Sequence, residues 1–515
     1  MPPIICLEYH IGRCSSSTGF DTGQGLALVQ SFGYIDRMKT LLPRVVLASL
    51  VAVCLAAGEL WAASPVSDCE QAARLIAAER LGEYVTYLAA DAFEGREAGS
   101  RGGRAIGDFL AERVKKLGLK PAGTDGGYFQ PFGEGMRNVL SLVPGRDPAL
   151  AKQVIVMAAH YDHVGYGTAR NSRGPIGYIH NGADDNASGV SGMMAAAEAF
   201  CALKQPPRRS VLIAFWDGEE KGLLGSQHWL ANPTIPLDRV VLSITADMIG
   251  RLRDDHLVVY GSRTSDGLRR LAAQANAALG LSLDFSWAVE HDSDHYPFFA
   301  HGIPIVFFFT GKHDEYHTPR DKANLINKPG MERVARLMFT IAYELANRDE
   351  TPRFRPASQT ETGLSEQSLW AQQPGANAVA QGKPLRLGIT WRSDEAEPGT
   401  VVLTSVAPGS PAALAGLTPG DRVLQLGGRD FASEEEFGQQ IGAAPFPVEL
   451  RVEHNGRIRA ATIKSAGATT LQKAALLRVP HGRRSQIATW PTIAAMRRPI
   501  ALRRPGLYAG GSMAV

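Results

Sequence analysis

The sequence predicts an α/β domain with a mixed, largely parallel sheet flanked by helices, followed by a small, mainly β domain. Between residues 68 and 347 apolar, strand-like runs alternate with helical patterns, whereas residues 383–464 contain closely spaced short strands. The chain has 515 residues, 44% of them hydrophobic, and five cysteines. This composition suffices for more than one packed core, and it excludes a disordered chain, a collagen-like chain and a disulfide-stapled mini-protein.

The elements of the large domain follow from apolar spacing. Helices are expected at 69–90, 102–117, 189–204, 266–279 and 331–346, and strands at 154–160, 211–217, 240–247 and 303–309. The helix at 102–117, for example, has Ile106, Leu110 and Val114 at helical spacing and ends before Gly118. The strands are continuous apolar runs, which indicates a sheet covered by helices on both faces.

A polar segment rich in Gln, Glu, Ser and Thr at 348–382 is expected to be a linker. In the small domain after it, strands are predicted at 387–391, 401–406, 422–428 and 448–463, and short helices at 410–415 and 433–441. The last strand run contains Asn455-Gly456, which is the strongest short-range signal of a β-hairpin.

The beginning of the chain indicates export. Residues 38–63 have a charged start at Lys39 and Arg44, an apolar run of about 13 residues and small residues after it, the layout of a secretory signal peptide. This run is shorter than the roughly 20 residues of a spanning helix, so no transmembrane span is expected. Residues 1–37 are expected to be an over-extended reading of the gene. We predict a periplasmic or secreted protein, in which Cys69 and Cys201 either form a disulfide or remain thiols.

The end of the chain carries most of the positive charge. Residues 465–515 contain eight basic and no acidic residues, so the formal charge of +3 leaves −5 for the rest of the chain. The paired arginines of this tail have no amphipathic period, and we expect a disordered segment that does not bind nucleic acid.

Polar side chains cluster where the predicted strands of the large domain end. Open α/β sheets form their ligand sites at the carboxyl ends of the strands, so these clusters are expected to converge on one crevice. The candidate residues are His160, Asp162, Asp185, Glu219, Glu220, Asp247 and His317. Two histidines with several carboxylates, and no thiolate, suit zinc. Two His and three carboxylates satisfy two zinc ions that share one bridging carboxylate, and a further acidic group remains for proton transfer.

These motifs resemble those of the di-zinc aminopeptidases of metallopeptidase family twenty-eight (clan MH), relatives of the glutamate carboxypeptidase ectodomain. The resemblance covers residues 68–347 and implies a zinc exopeptidase fold. It implies that His160 and Asp247 hold one zinc ion and Glu220 and His317 the other, and that Asp185 bridges the two ions. In this family the peptide bond after the bridging Asp is often cis.

The resemblance also implies roles beyond the metal ligands. Glu219 is the expected general base, Asp162 orients the imidazole of His160, and Tyr316 stabilises the oxyanion. Asp294 and His295 are expected to line the substrate cleft. Six histidines of the region are predicted not to be metal ligands, namely His163, His180, His291, His295, His301 and His313.

The small domain resembles a PDZ domain of the bacterial protease type. The resemblance rests on the strand LRLGITW, the run VAPGSPAALAGLTPGDRVLQLGG and the helix SEEEFGQQI. It implies that Gly388 lies in the loop that receives a peptide carboxylate, and that the next strand offers an edge for a C-terminal peptide. The alternative is a scaffold domain that binds nothing and packs on the catalytic domain.

Together these motifs predict an exported, zinc-dependent exopeptidase that acts on peptides or proteins. An aminopeptidase is favoured because the catalytic region resembles the compact members of the family, without a large protease-associated insert. A carboxypeptidase or a glutaminyl-cyclase-like enzyme of the same clan remains an alternative. A further alternative is a PDZ-mediated binding protein whose catalysis is vestigial.

Overall fold

A computed structural model of the chain describes residues 67–362 and 386–465. The chain divides into two units at Gln71, and both described β-sheets belong to the second unit. The predicted signal peptide, most of the predicted linker, and the tail after residue 465 lie outside the described residues.

The described residues form eleven α-helices. They are α1 (Asp68–Ala73), α2 (Ala78–Leu88), α3 (Arg101–Lys116), α4 (Gly189–Ala202), α5 (Leu224–Ala231), α6 (Leu268–Ala275), α7 (His295–Ala300), α8 (Lys328–Asn347), α9 (Ser358–Glu361), α10 (Pro411–Leu414) and α11 (Glu434–Ala443). Helix α3 shows why such segments are helical. The Ser100 side chain caps its first turn by accepting a hydrogen bond from the Gly103 amide, and Ile106, Leu110 and Val114 form a fully buried stripe.

The larger sheet has nine strands: β1 (Lys120–Pro121), β2 (Phe129–Phe132), β3 (Met136–Val143), β4 (Val154–His160), β5 (Ser210–Trp216), β6 (Val240–Ala246), β7 (His256–Tyr260), β8 (Ser282–Ser286) and β9 (Ile305–Phe309). Their order is β1-β3-β5-β4-β6-β9-β7-β8, with β2 paired to β3. Strands β5, β4, β6 and β9 run parallel at the centre, whereas β3 and β7 pair antiparallel with their central neighbours. The carboxyl ends of the four central strands therefore meet at one edge.

The small domain is a separate antiparallel sheet. Its strands are β10 (Ile389–Ser393), β11 (Val401–Val406), β12 (Arg422–Leu426), β13 (Val448–His454) and β14 (Arg457–Ile463), paired in that order. Strand β10 lies at the edge, and the predicted Asn455-Gly456 turn joins β13 to β14. The two sheets confirm the predicted fold class, a mixed and largely parallel α/β domain followed by a small β domain.

One predicted helix differs from the structure. The segment predicted as a single helix at 69–90 forms α1 and α2, because Ala77 has an extended backbone at φ −112° and ψ 145°. Helix α2 begins after this extended residue and buries Leu81, Val85 and Leu88 in the core. Cys69 is buried and Cys201 is exposed, and the described residues contain no disulfide between them. Among the described residues, no helix combines the length and the apolarity needed to cross a membrane.

The small domain packs on the end of the larger sheet through buried polar contacts. The Leu283 amide at the start of β8 donates to the Asn455 carbonyl at 2.9 Å, and the Asn276 side chain donates to the Gly456 carbonyl at 2.8 Å. Arg269 of α6 donates to both carboxylate oxygens of Glu453, at 2.9 and 3.2 Å. The tip of the β13–β14 hairpin is therefore held by the large domain.

A second group of contacts involves the segment that follows α8. Arg263 donates to Glu361 of α9 at 2.7 Å and to Asp394 of the small domain at 2.6 Å, and Arg355 forms two further hydrogen bonds with Glu361, each at 2.7 Å. The Glu397 carboxylate accepts the amide of Arg269 in the first turn of α6 at 2.8 Å. The small domain thus packs on the large domain, as expected for a scaffold domain. One edge of β10 has no neighbouring strand in the described sheet, so a peptide strand could still pair with it.

Candidate metal centre

The sequence-predicted ligands lie together at the carboxyl edge of the central strands. His160 is the last residue of β4, Asp247 directly follows β6, and Glu219 and Glu220 follow β5 within four residues. His317 lies in the loop after β9, where its backbone has φ +54°. This is the edge at which parallel sheets form ligand sites.

The first group of side chains centres on His160. Its Nε2 lies 3.3 Å from Asp247 Oδ1, 3.5 Å from Asp185 Oδ1 and 4.0 Å from Glu219 Oε2. The second group centres on His317, whose Nε2 lies 3.1 Å from Asp185 Oδ2 and 3.2 Å from Glu220 Oε2. The two oxygens of Asp185 thus face different groups, which is the arrangement that a bridging carboxylate requires.

The donor atoms in these groups fit zinc in number and spacing. The donor atoms of His160, Glu219 and Asp247 all lie within 4.8 Å of one another, and so do those of Asp185, Glu220 and His317. Tetrahedral ligands at the usual zinc distances are separated by about 3.3 Å, close to the observed 3.1–3.5 Å between the histidines and their nearest carboxylates. His317 Nε2 is buried and makes no hydrogen bond within the described part of the chain, although it points at two carboxylates.

The protonation preferences of the acidic groups differ between the two halves of the site. Burial raises the pKa of Glu219 well above its usual range, and repulsion from Glu220 and Asp247 adds to this effect. Burial also raises the pKa of Asp247. For Glu220, burial opposes ionisation, but the neighbouring His163 and His317 outweigh it and hold the pKa well below its usual range. Glu219 is therefore the more basic of the paired glutamates.

Backbone amides fix the loops that carry these groups. Asp162 accepts hydrogen bonds from the amides of Glu219 at 3.1 Å and Glu220 at 3.3 Å. Its Oδ1 lies 3.7 Å from His160 Nδ1, beyond hydrogen-bond distance, so its stronger contacts are with the glutamate loop rather than with the predicted imidazole. Asp321 accepts from the Asp185 amide at 3.1 Å. The Asp185–Asn186 peptide bond is cis, as the resemblance implied.

Arg96 supports the site, although no sequence pattern predicts this role. Its guanidinium, 1% exposed, donates to the carbonyls of Tyr161 at 3.0 Å, Asn181 at 2.6 Å and Gly182 at 2.9 Å. These carbonyls belong to the two segments that carry His160 and Asp185. Burial lowers the pKa of Arg96 to about 10. Arg96 ends a short 3-10 segment, Asp91–Arg96, which is interrupted by residues of positive φ. Such a segment has no periodic sequence signal, so only the fold reveals the contacts of Arg96.

Two further side chains of the site were not predicted from the sequence. Ser293 Oγ donates to Asp247 Oδ2 at 2.8 Å. His163, predicted not to be a metal ligand, has its Nδ1 2.8 Å from Glu220 Oε1 and 3.7 Å from Asp185 Oδ2. The structure thus brings His163 into the second group, because the loop after β4 turns its ring toward Glu220. The sequence signal that could have indicated this role is the second histidine of the HYDH motif, three residues after His160.

A narrow cleft opens onto both groups, with Glu219 and Asp247 of the first and Asp185, Glu220 and His317 of the second in its lining. The predicted residue Tyr316 lines it and stacks on His317 with ring centroids 3.9 Å apart. Burial raises the pKa of Tyr316. Asp292 and Lys312 also line the cleft, as do apolar side chains that include Phe307.

The predicted lining residues Asp294 and His295 lie elsewhere. Both are fully buried at the start of α7, and neither belongs to the cleft lining. Asp294 accepts a hydrogen bond from Ser226 at 2.5 Å, and burial raises its pKa to about 7. His295 stacks on Phe307 at 4.1 Å, and burial lowers its pKa to about 3. The turn into α7 directs both side chains inward, and Asp292 faces the cleft instead.

In the small domain, Gly388 lies in the loop before the edge strand β10 with φ +76°. A Cβ at this position would overlap with the Ser410 Cβ, so the loop requires glycine. Arg386 donates to the carbonyls of Gly442 and Ala444 at the end of α11. At the other end of β10 the Ser393 amide donates to Glu434 Oε2 at 2.9 Å.

Comparison with known proteins gives two domain matches and several relatives. The model of peptidase family M28 matches residues 138–342, and that of the PDZ domain matches residues 402–453. Aminopeptidase YwaD of Bacillus subtilis is 26% identical over 210 residues, which cover 39% of this chain and 43% of that protein. Leupeptin-inactivating enzyme 1 of Streptomyces exfoliatus is 26% identical over 265 residues, which cover 51% of this chain and 55% of that protein. The chain thus spans about half the length of these curated relatives.

Among solved structures, similar chains include LapA aminopeptidase of Legionella pneumophila, at 22% identity and a TM-score of 0.45, covering 55% of this chain and 73% of that one. The aminopeptidase of Aneurinibacillus sp. strain AM-1 has 17% identity and a TM-score of 0.44, and the match covers 55% of this chain and 97% of that one. The two domain matches confirm the resemblances inferred from the motifs: a region that matches peptidase family M28 is followed by a region that matches the PDZ domain.

Proposed function

We propose that the chain is an exported, zinc-dependent exopeptidase of the aminopeptidase type. The observation that carries this proposal is the position of Asp185, whose Oδ1 faces His160 at 3.5 Å while its Oδ2 faces His317 at 3.1 Å. One zinc ion would be held by His160, Asp247 and Asp185, and the other by Glu220, His317 and Asp185. Zinc ions in these positions would polarise a scissile carbonyl and lower the pKa of a water molecule.

Glu219 is the proposed general base. Its carboxylate lines the cleft, and its backbone amide is fixed by Asp162 at 3.1 Å. In the proposed step one oxygen of Glu219 accepts a proton from the attacking water and delivers it to the nitrogen of the leaving amine, so that the peptide bond breaks with no net gain or loss of protons. The Tyr316 hydroxyl would donate to the carbonyl oxygen of the substrate.

The charge of the cleft supports recognition of a peptide amino terminus. Five carboxylates line the cleft, against the single lysine Lys312. Two zinc ions would balance the charges of Asp185, Glu219, Glu220 and Asp247, so the carboxylate left to attract an ammonium group is that of Asp292. Asp292, exposed at the rim of the site, is the proposed partner of the substrate amine.

The Glu219→Gln variant tests the base. It should keep its zinc but lose at least about 100-fold in turnover, because general base catalysis contributes roughly 10²- to 10⁴-fold. Glu112→Gln is the matched control, since Glu112 is an exposed helix residue that pairs with Lys116. Near-normal turnover in Glu219→Gln, with wild-type zinc content, would remove Glu219 from the mechanism.

The position of cleavage is tested on three substrates: a peptide with a free amine, its N-blocked form, and a C-terminal reporter peptide. An aminopeptidase cleaves the first and spares the second. Release from the C-terminal reporter would indicate a carboxypeptidase, and cyclisation of an N-terminal glutamine would indicate the cyclase alternative. If the zinc-loaded protein acts on none of these substrates, the binding-protein alternative would be favoured.

Export and peptide binding by the PDZ domain complete the proposal. Export rests on the predicted signal peptide at 38–63 and is tested by N-terminal sequencing of the mature protein. Peptide binding is supported by the position of β10 at the sheet edge and by the left-handed Gly388 loop. Fluorescent C-terminal peptides added to the full chain should bind. The scaffold alternative predicts no binding.

A further inference from the structure

We propose that His163 binds metal directly through Nδ1, as a fourth protein ligand of the ion held by Asp185, Glu220 and His317. This inference rests on the proposed metal centre and adds to it an imidazole that the predicted ligand set does not contain. It makes the two sites unequal: the His317 site would have two nitrogen ligands, and the His160 site one.

The distances around His163 are those of a ligand. Its Nδ1 lies 2.8 Å from Glu220 Oε1 and 3.7 Å from Asp185 Oδ2, while His317 Nε2 lies 3.2 Å from Glu220 Oε2 and 3.1 Å from Asp185 Oδ2. These four separations bracket the value of about 3.3 Å between ligands of a tetrahedral zinc ion. The four donor atoms lie within 4.8 Å of one another, as a common ion requires.

The orientation of the ring is fixed by its surroundings. His163 is 1% exposed, and its backbone amide donates to the Arg96 carbonyl at 3.2 Å. The ring lies against Gly182, where a Cβ would come within 2.6 Å of the imidazole. On the other side it packs edge to face with His317, with centroids 5.5 Å apart at 84°. Nδ1 is therefore held toward the carboxylates before any ion binds.

Ligand chemistry indicates what the additional imidazole does. Imidazole suits zinc, whereas carboxylate and carbonyl oxygens suit magnesium, calcium and manganese. A site with two imidazoles should therefore hold zinc more tightly than the His160 site and discriminate more strongly against oxygen-preferring ions. We expect the His317 site to fill first and to empty last.

The alternative is that His163 only donates a hydrogen bond to Glu220. Losing a side chain that supports a ligand costs about 10- to 100-fold in metal affinity. Loss of a ligand should exceed that range. A glutamine retains a side-chain donor for Glu220 but is a poor zinc ligand, whereas an aspartate or a cysteine can bind zinc.

The test titrates metal-free full-length protein with Zn²⁺ against a chromophoric chelator, with the zinc content counted by elemental analysis. Wild type should bind two ions with separable affinities. In His163→Ala and His163→Gln the tighter affinity should fall by more than about 100-fold, and His163→Cys should recover at least part of it. His180→Ala is the control, since His180 is also fully buried but bonds to Ser172 and Tyr178.

Each outcome decides the proposal. Wild-type affinity in His163→Ala, or recovery in His163→Gln, would overturn it while leaving the two-zinc centre intact. Wild-type protein that binds no zinc would overturn the proposed function together with this inference. If His163→Ala does not fold, as judged by circular dichroism, the comparison of His163→Gln with His163→Cys gives the answer.

Discussion

Removing the guanidinium of Arg269 is expected to destabilise the whole chain, because this side chain joins the two domains. Arg269 donates to both carboxylate oxygens of Glu453, at 2.9 and 3.2 Å, and its guanidinium lies 4.4 Å from the Phe285 ring centroid. The Glu453 carboxylate, 1% exposed, also accepts a hydrogen bond from the Gly456 amide at 2.7 Å. Of these three hydrogen bonds to a buried charge, Arg269→Ala removes two and leaves only the one from Gly456.

The expected loss follows from these contacts. Two hydrogen bonds to a charged group contribute about 3–6 kcal/mol, and breaking a buried ion pair costs about 3–5 kcal/mol. Burial opposes the ionisation of Glu453, but Arg269 and then Arg422 outweigh it and lower its pKa. Because Arg422 remains in the variant, we expect Arg269→Ala to lower the free energy of unfolding by about 3 kcal/mol, near the lower end of both ranges. The double variant Arg269→Met, Glu453→Gln should lose less, since no buried carboxylate is left unpaired.

Urea unfolding followed by tryptophan fluorescence measures the loss as a shift in midpoint at constant slope. Arg101→Ala is the control, because the Arg101 side chain is 77% exposed and pairs with Glu94 at the surface. That pair is expected to contribute at most about 1 kcal/mol. A loss in Arg269→Ala no larger than in Arg101→Ala would show that the domains are not held together by this pair.

Three further predictions concern the domain contacts and the site. Burial opposes the ionisation of Glu361, but its two arginine partners outweigh it and lower its pKa from 4.5 to about 2. Ionised Glu361 is expected to stabilise the fold by at most about 3 kcal/mol, because solvent screens the ion pairs. This contribution is present above pH 4.5 and is lost as the pH falls toward 2. The Glu361→Gln variant should therefore show a flatter dependence of unfolding free energy on pH in that window. Gly456→Ala should lower the melting temperature more than Gly427→Ala: both glycines have positive φ, but only at Gly456 would a Cβ overlap with the Leu283 side chain. Equal shifts would argue against the docked hairpin. Arg96→Met should lose zinc to a chelator faster than wild type, because the carbonyls that position His160 and Asp185 lose their common donor; unchanged zinc retention would contradict this role.

The central fold and most of the site were predictable because the relevant signals are local. Strands β4, β5 and β6 are buried along their whole length, so they read as continuous apolar runs, and the proposed ligands follow them directly. Strands β7 and β8 alternate in burial and are only five residues long, which is too short for a clear period, and neither was predicted.

What escaped prediction depends on tertiary contacts. The direction of the His163 ring is set by Gly182 and His317, which lie far from it in sequence or across a turn. Asp292 and Asp294 are two residues apart, but one faces the cleft and the other is buried, because the chain turns into α7 directly after them. Arg96 acts through backbone carbonyls, which carry no sequence signature.

The most direct test measures the rate of release of an aminoacyl reporter as zinc is removed from the mature protein and then restored, with the zinc content counted in each sample. We predict that the metal-free protein is inactive and that full activity returns as the second ion binds per chain. Full activity without zinc, or restored activity with a zinc content that never exceeds one ion per chain, would contradict a two-zinc peptidase bridged by Asp185.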